Sequence, residues 1–176
     1  MKCPRCSNEA KVPYPNGNLC ENCYIDVLTA RIKKDTKMNS PLNKGEKILV
    51  YGKLTEIFLR KAMPELPLEI TTIDKKYKKT KNEEKYDRIV IPFTADDDAE
   101  SFYSEITKKD PNLEEDKKVV KLFRTMLNEE VIKAAKILNV KIELNKNKKL
   151  NKIKKKFPQS IFGLRNAAEE FRKAIK

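Results

Sequence analysis

Four cysteines are the residues whose type and spacing most directly indicate chemistry. They form two Cys-x-x-Cys pairs, Cys3 with Cys6 and Cys20 with Cys23, and they are all the cysteines in the 176-residue chain. Each pair turns tightly enough to aim two thiolates at one point, so together they predict a tetrahedral four-sulfur site that suits one zinc ion. A rubredoxin-type iron site is the alternative for the same ligands, and a pair of disulfides is the alternative in an oxidising compartment.

The predicted metal site limits the chemistry left to the rest of the chain. A closed four-thiolate site holds a fold together, has no open position for catalysis, and leaves no cysteine as a nucleophile or sulfur carrier. The chain has no histidine, which excludes histidine-based acid–base relays and histidine metal ligands. Its four glycines, Gly17, Gly45, Gly52 and Gly163, are too far apart for a glycine-rich phosphate loop.

The charge balance favours a polyanionic partner. The formal net charge is +13 and the isoelectric point is about 9.5, values typical of nucleic-acid-binding proteins. We therefore expect RNA contacts from the cysteine module, the helix after it and a basic run near the C-terminus; the candidates are Arg5, Lys11, Tyr14, Arg31, Lys33, Lys34, Lys154, Lys155 and Lys156. The alternative is an ordinary solvated surface in a lysine-rich chain.

The elements that must position these residues predict an α/β protein. Residues 48–50 form an apolar strand that ends at Gly52, and helical spacing follows from Leu54 to Ala62. Further strands are predicted at 68–73, 88–93 and, as an edge strand, 140–144; helices are predicted at 24–37, 94–104, 117–138 and 165–176, and a charged loop at 75–85. The pattern predicts a small, mostly parallel open sheet with flanking helices.

The chain divides into three predicted parts. A zinc knuckle occupies residues 1–25, a connecting helix and linker residues 26–44, and the α/β domain residues 45–176. The boundary rests on a break in helical spacing at residues 39–45, where Pro41 and Gly45 stand. No apolar run is long enough to span a membrane, so we expect a cytoplasmic protein without a membrane partner.

Three consecutive aspartates, Asp96 to Asp98, have two interpretations. Carboxylates at a strand end hold Mg²⁺ when substrate phosphates complete its coordination. Carboxylates in the first turn of a helix are also favoured by the helix dipole, with Thr94 as the cap. Because no phosphate loop supplies a substrate, helix capping is the favoured interpretation.

Three stretches together resemble one protein family. The two cysteine pairs, followed by a helix and by the segment Gly45-Glu46-Lys47-Ile48-Leu49-Val50, are similar to the start of tRNA 2-thiolation proteins of the PP-loop (adenine nucleotide alpha hydrolase-like) group. Residues 89–94 with the acidic residues after them, and residues 156–164, resemble later segments of the same group. The resemblance implies a reduced PP-loop (HUP-like) domain behind a zinc knuckle.

The same resemblance implies that the chain is not a catalytic member. Catalytic members carry a Ser-Gly-Gly-x-Asp-Ser loop around the pyrophosphate of ATP and use additional cysteines to deliver sulfur. Here Tyr51-Gly52-Lys53-Leu54-Thr55-Glu56 stands in place of that loop, and no thiol is spare. The chain therefore resembles the non-catalytic subunit, although it lacks a large insertion before Arg88 and a second zinc module. Such a subunit is expected to bind no ATP, to pair with a catalytic thiolation subunit in a heterodimer or heterotetramer, and to help hold tRNA.

Two other functions remain open from the sequence. A free-standing zinc-ribbon nucleic-acid-binding protein would bind RNA or DNA without a protein partner. An ATP-dependent tRNA-modifying transferase with a divergent loop would have to use Lys53 and Asp96 to Asp98.

Overall fold

The core of the protein is a four-stranded parallel sheet. The computed structural model describes residues 1–15, 17–77, 81–108, 116–144, 150, 156–157 and 160–174. The strands are β1 (Lys47–Tyr51), β2 (Glu69–Ile73), β3 (Arg88–Thr94) and β4 (Val119–Phe123), in the order β2-β1-β3-β4. The apolar runs of β1 and β3 place these two strands at the centre, because a parallel strand covered on both faces needs apolar side chains on both sides.

Helices connect the strands and cover the sheet. They are α1 (Glu21–Asn39), α2 (Lys53–Ala62), α3 (Ala95–Ile106), α4 (Asn128–Ile137) and α5 (Ser160–Ala174). The predicted fold class, a parallel α/β sheet behind an N-terminal four-cysteine cluster, is confirmed. No helix among the described residues is long and apolar enough to cross a membrane.

One continuous apolar core joins the cysteine module to the sheet. Val50, Val90 and Val120 lie side by side in the register of β1, β3 and β4, and all three are buried. Buried side chains of α1, α2 and α4 pack on this face, and the same cluster extends to Cys3 and Leu19 in the module. The knuckle is therefore packed onto the α/β core.

Two predictions in the second half of the chain are wrong. The helix predicted over 117–138 is instead β4, a turn and α4, because Val119 to Phe123 pair with β3. Their apolar side chains fit a strand as well as a helix, and pairing with the buried central strand decides between the two. The edge strand predicted at 140–144 does not form, although Val140, Ile142 and Leu144 pack against the main core.

The aspartates at the start of α3 act in helix capping and ion pairing. The Asp97 carboxylate accepts hydrogen bonds from the backbone N–H and the hydroxyl of Thr94, both at 2.9 Å, while its own N–H donates back to the Thr94 hydroxyl. Asp96 accepts a 2.8 Å hydrogen bond from the Asn128 N–H. Asp98 faces cations of β4 and α5. The capping interpretation is confirmed for Thr94 and Asp97. Among the described residues, only the four cysteines lie close enough together to be candidate ligands of one metal ion.

A buried ion pair fixes α5 against α3. Asp98 is 1% exposed, and its carboxylate accepts hydrogen bonds of 3.0 and 3.3 Å from the guanidinium of Arg172. The Lys121 ammonium lies 3.4 Å from the same carboxylate and 4.4 Å from the centre of the Phe93 ring. Burial alone would raise the pKa of Asp98, but the charges of Lys121 and Arg172 outweigh it and hold this pKa below its usual value.

We expect the substitution Asp98→Asn to destabilise the protein, because it keeps the side-chain shape and leaves two cations without their carboxylate. The free energy of unfolding near pH 7 should fall by about 3 kcal/mol, as when one partner of a buried ion pair is removed. Since the folded pKa is depressed, this contribution is complete above the unfolded aspartate pKa of about 3.9 and is lost as pH falls through the folded value. Urea denaturation from about pH 7 to about pH 3 measures both effects.

Glu170→Gln supplies the matched control. It also removes one negative charge, here from α5, but Glu170 and its partner Lys173 are exposed. Its urea midpoint should stay within error of the wild type. A similar midpoint for Asp98→Asn would contradict the assigned role of this ion pair.

Candidate metal centre and sheet cavity

Two short hairpins and the start of α1 bring the four cysteines together. Antiparallel bridges join Lys2 to Glu9 and Val12 to Leu19, so each hairpin folds back within a few residues. In the first knuckle the Cys3 N–H donates to the Asn8 carbonyl at 2.7 Å, and the Ser7 N–H donates to the Cys3 carbonyl at 2.9 Å. The chain then reaches Cys20, which is the N-cap of α1.

The sulfur atoms have the spacing expected for ligands of one metal ion. All four Sγ atoms lie within 4.8 Å of one another, and those of Cys6 and Cys20 are 3.3 Å apart. Four sulfurs bound at ~2.3 Å to one tetrahedral ion lie ~3.8 Å from one another. The observed separation is too long for a disulfide bond of ~2.05 Å, and all four thiols are free. The predicted convergence of Cys3, Cys6, Cys20 and Cys23 on one point is confirmed.

The shifted pKa values of these thiols also favour a cation bound between the four sulfur atoms. Hydrogen bonds from backbone N–H groups, that of Cys20 first, lower the pKa of Cys3 to about 6. The neighbouring thiols, that of Cys6 first, raise the pKa of Cys23 to about 12. Four thiolates at this separation repel one another, and a divalent ion relieves that repulsion by binding all of them in deprotonated form. The donor set therefore fits a bound metal ion.

The predicted RNA-binding residues occupy different environments. Arg5, Lys33, Lys34 and Lys156 are exposed, and Lys11 is exposed beside Glu9, whose carboxylate lies 2.9 Å from its ammonium. The Tyr14 ring packs edge-on against buried Tyr24. Lys154 and Lys155 lie outside the described residues.

Arg31 faces inward. Its guanidinium donates to both carboxylate oxygens of Glu130, at 2.5 and 3.2 Å, and to the Thr125 carbonyl. These contacts connect α1 to the start of α4. An RNA contact by Arg31 stays a prediction and would have to compete with this ion pair.

A cavity of about 680 Å³ lies at the carboxyl end of the central strands. Tyr51 and Phe93, at the ends of β1 and β3, line it together with Gly52 and Lys53 at the start of α2. The connections from β1 to β2 and from β3 to β4 run in opposite directions across the sheet, and ligands of open α/β sheets bind at such a reversal. Sequence reasoning placed β1, Gly52 and α2 here, but gave no signal that Arg172 of α5 reaches the same cavity.

The start of α2 carries a negative charge where a phosphate would need a positive one. Gly52 has a φ of 87°, which favours glycine, and no side chain caps the helix. In the first turn the Glu56 carboxylate accepts hydrogen bonds of 2.9 Å from both Lys53 and Arg60. These bonds, that of Lys53 first, lower the pKa of Glu56 to about 2. Glu56 therefore remains ionised and forms an ion pair with Lys53, the nearest cation.

Comparison with known proteins gives a match by structure alone. No family model matches the sequence, and no curated protein matches it. Among solved structures, 17 chains match. One is the U34-tRNA thiolase NcsA from Methanococcus maripaludis with its [4Fe-4S] cluster, which has a TM-score of 0.68 and 14% sequence identity over all of this chain and 88% of the thiolase chain. At this identity the match shows that the two proteins share a fold.

We expect the substitution Cys20→Ser to abolish metal binding and to lower the thermal unfolding midpoint. Loss of one thiolate opens the four-sulfur site. The Cys20 Sγ also caps α1 by accepting a 3.5 Å hydrogen bond from the Cys23 N–H, but a serine hydroxyl can accept this bond, so the change tests the metal site and keeps the helix cap. Elemental analysis of the purified protein measures metal per chain, and thermal denaturation followed by circular dichroism measures stability.

Arg5→Ala is the control, because Arg5 lies between two of the cysteines and is exposed. It should keep the metal and the wild-type midpoint. One metal ion per chain in Cys20→Ser would contradict a four-cysteine site.

Proposed function

We propose that this protein is a non-catalytic subunit of a tRNA wobble-uridine 2-thiolation complex. It binds the catalytic thiolation subunit, helps hold tRNA and makes or breaks no covalent bond itself. The observation that carries the proposal is the fold shared with a U34-tRNA thiolase in a chain whose four thiols all converge on one site.

The cysteine geometry supports a structural metal ion rather than a sulfur-transfer site. A cubane iron–sulfur cluster binds one thiolate at each of four separate irons, so its ligands must lie farther apart than the ligands of a single ion. The Sγ atoms here lie within 4.8 Å of one another. We propose one zinc ion held by Cys3, Cys6, Cys20 and Cys23, with a single rubredoxin-type iron as the other ion that fits these ligands.

The exposed cations support a role in holding tRNA. Arg5 and Lys11 project from the knuckle, and Lys34 projects from α1. Phosphate contacts of this kind give an affinity that falls as salt rises; the slope of log affinity against log salt concentration changes by roughly one unit for each contact.

In a nitrocellulose-filter assay with tRNA, Arg5→Glu combined with Lys11→Glu should weaken binding and flatten the salt dependence. The charge-matched control, Lys133→Glu on α4 combined with Lys173→Glu on α5, should leave both unchanged.

The subunit proposal is tested by mixing the protein with a purified catalytic U34-tRNA thiolase and tRNA at low salt. We expect co-elution on size exclusion and a higher thiolation rate than the thiolase reaches alone. Binding of tRNA without any complex with the thiolase would instead favour a free-standing nucleic-acid-binding protein, which the exposed knuckle cations also suit.

A catalytic role is tested by titrating ATP and Mg²⁺ into the purified protein in a calorimeter. We expect no saturable heat, since Glu56 holds Lys53 at the helix start where the pyrophosphate would bind. Saturable ATP binding that is lost in Gly52→Val would overturn the proposal and revive an ATP-using transferase, which the 680 Å³ cavity has room for.

A further inference from the structure

A second concave surface lies where the chain leaves α1 and α2. It has a volume of about 340 Å³ and is lined by Lys33 and Lys37 of α1, Leu42 of the linker, and Met63, Glu65 and Leu66 after α2. These six residues define the α1–α2 groove.

The floor of the groove is apolar and rests on the core. Leu42 and Met63 are half-buried and pack against the main apolar cluster, while Leu66 is half-buried at the edge. The turn after α2 is held by backbone hydrogen bonds from the Met63 N–H to Leu59 and from the Leu66 N–H to Met63. A binding surface with a fixed backbone loses little conformational entropy when a partner binds.

One wall of the groove is cationic. Lys33 and Lys37 are four residues apart on α1, so both ammonium groups lie on the same face of the helix. Within the described part of the chain, neither has a carboxylate within ion-pair distance. The helix dipole accounts for a cation at Lys37, in the last turn of α1, but not for Lys33. Glu65 is the single acid against these two cations among the lining residues.

We propose that the α1–α2 groove binds an acidic segment of a protein partner that inserts apolar side chains onto Leu42, Met63 and Leu66. The apolar floor suits a leucine-like anchor, and the cationic wall suits neighbouring carboxylates. RNA suits the groove less well, because no aromatic ring is among its described lining residues to stack on a base. The identity of that partner as the catalytic thiolation subunit rests on the proposed function, whereas the chemistry of the groove does not.

A synthetic peptide tests the groove without the partner. The probe is a fluorescent helical peptide with leucines on one face and glutamates elsewhere, and the control is the same peptide with lysine in place of glutamate. By fluorescence anisotropy we expect the acidic peptide to bind and the lysine-containing control peptide not to bind. The affinity of the acidic peptide should fall as the salt concentration rises. Lys33→Glu and Leu66→Asp should each weaken binding roughly tenfold or more.

The matched controls lie on α4, where Ile132 and Lys133 are also exposed. Ile132→Asp and Lys133→Glu should bind the acidic peptide as the wild type does. Urea midpoints show whether Leu66→Asp is folded, and Lys33→Glu alters no core contact. Equal binding of both peptides, binding only of a single-stranded RNA oligonucleotide, or unchanged affinity in both groove variants would overturn the proposal.

The two proposals fail separately. If Leu66→Asp and Lys33→Glu bind the thiolase as tightly as the wild type does, the contact lies outside the groove and the subunit role is kept. Binding of the acidic peptide in the groove without any complex with the thiolase would keep the groove and reject the subunit role.

Discussion

The four-thiolate cluster is the constraint on which the rest of the N-terminal half depends. Cys20 is both one of the four clustered cysteines and the N-cap of α1, so the position of the cluster fixes where this helix begins. From that start, Tyr24, Leu28 and Ile32 fall on one face and are buried against the sheet. The Tyr24 hydroxyl and the Arg31 guanidinium then reach Glu130 at the start of α4. A cluster too small to be a domain alone thereby orients a 19-residue helix across the α/β core.

Charge has two separate roles in this molecule. Several half-buried arginines form ion pairs: Arg31 with Glu130, Arg172 with Asp98, and Arg124 with Glu169 and Asp35. These pairs connect α1, α4 and α5 to their neighbours, and burial makes each costly to break. Lysines make up most of the cationic residues behind the net charge of +13, and those exposed on α1, such as Lys33, Lys34 and Lys37, face solvent where an anionic partner can reach them.

The sequence pattern predicted those elements whose secondary structure is decided by neighbouring residues. The central strands and α2 were readable because apolar runs bounded by Gly52 and Pro64 leave one interpretation, and the cysteine spacing alone predicted the convergent site. Residues 117–138 were not readable, because Val119 to Phe123 satisfy both helical and strand spacing and only pairing with β3 selects the strand. The path of α5 to the cavity was not readable either, since the Asp98 and Arg172 ion pair joins residues 74 positions apart.

The strand–turn–helix from Lys47 to Ala62 has the geometry of a phosphate site, and packing accounts for that geometry without a ligand. Phe58, Leu59 and Ala62 are fully buried, so α2 must lie against β1 at this angle. The chain can turn between them only through a positive φ, which Gly52 supplies. What binds a pyrophosphate is chemistry added to this scaffold: free N–H groups, hydroxyls and an available cation. Here Lys53 is paired with Glu56, whose pKa of about 2 keeps the carboxylate charged. Geometry and ligand chemistry are therefore separable in this fold, and this separation is the physical basis on which we propose a binding role instead of a catalytic one.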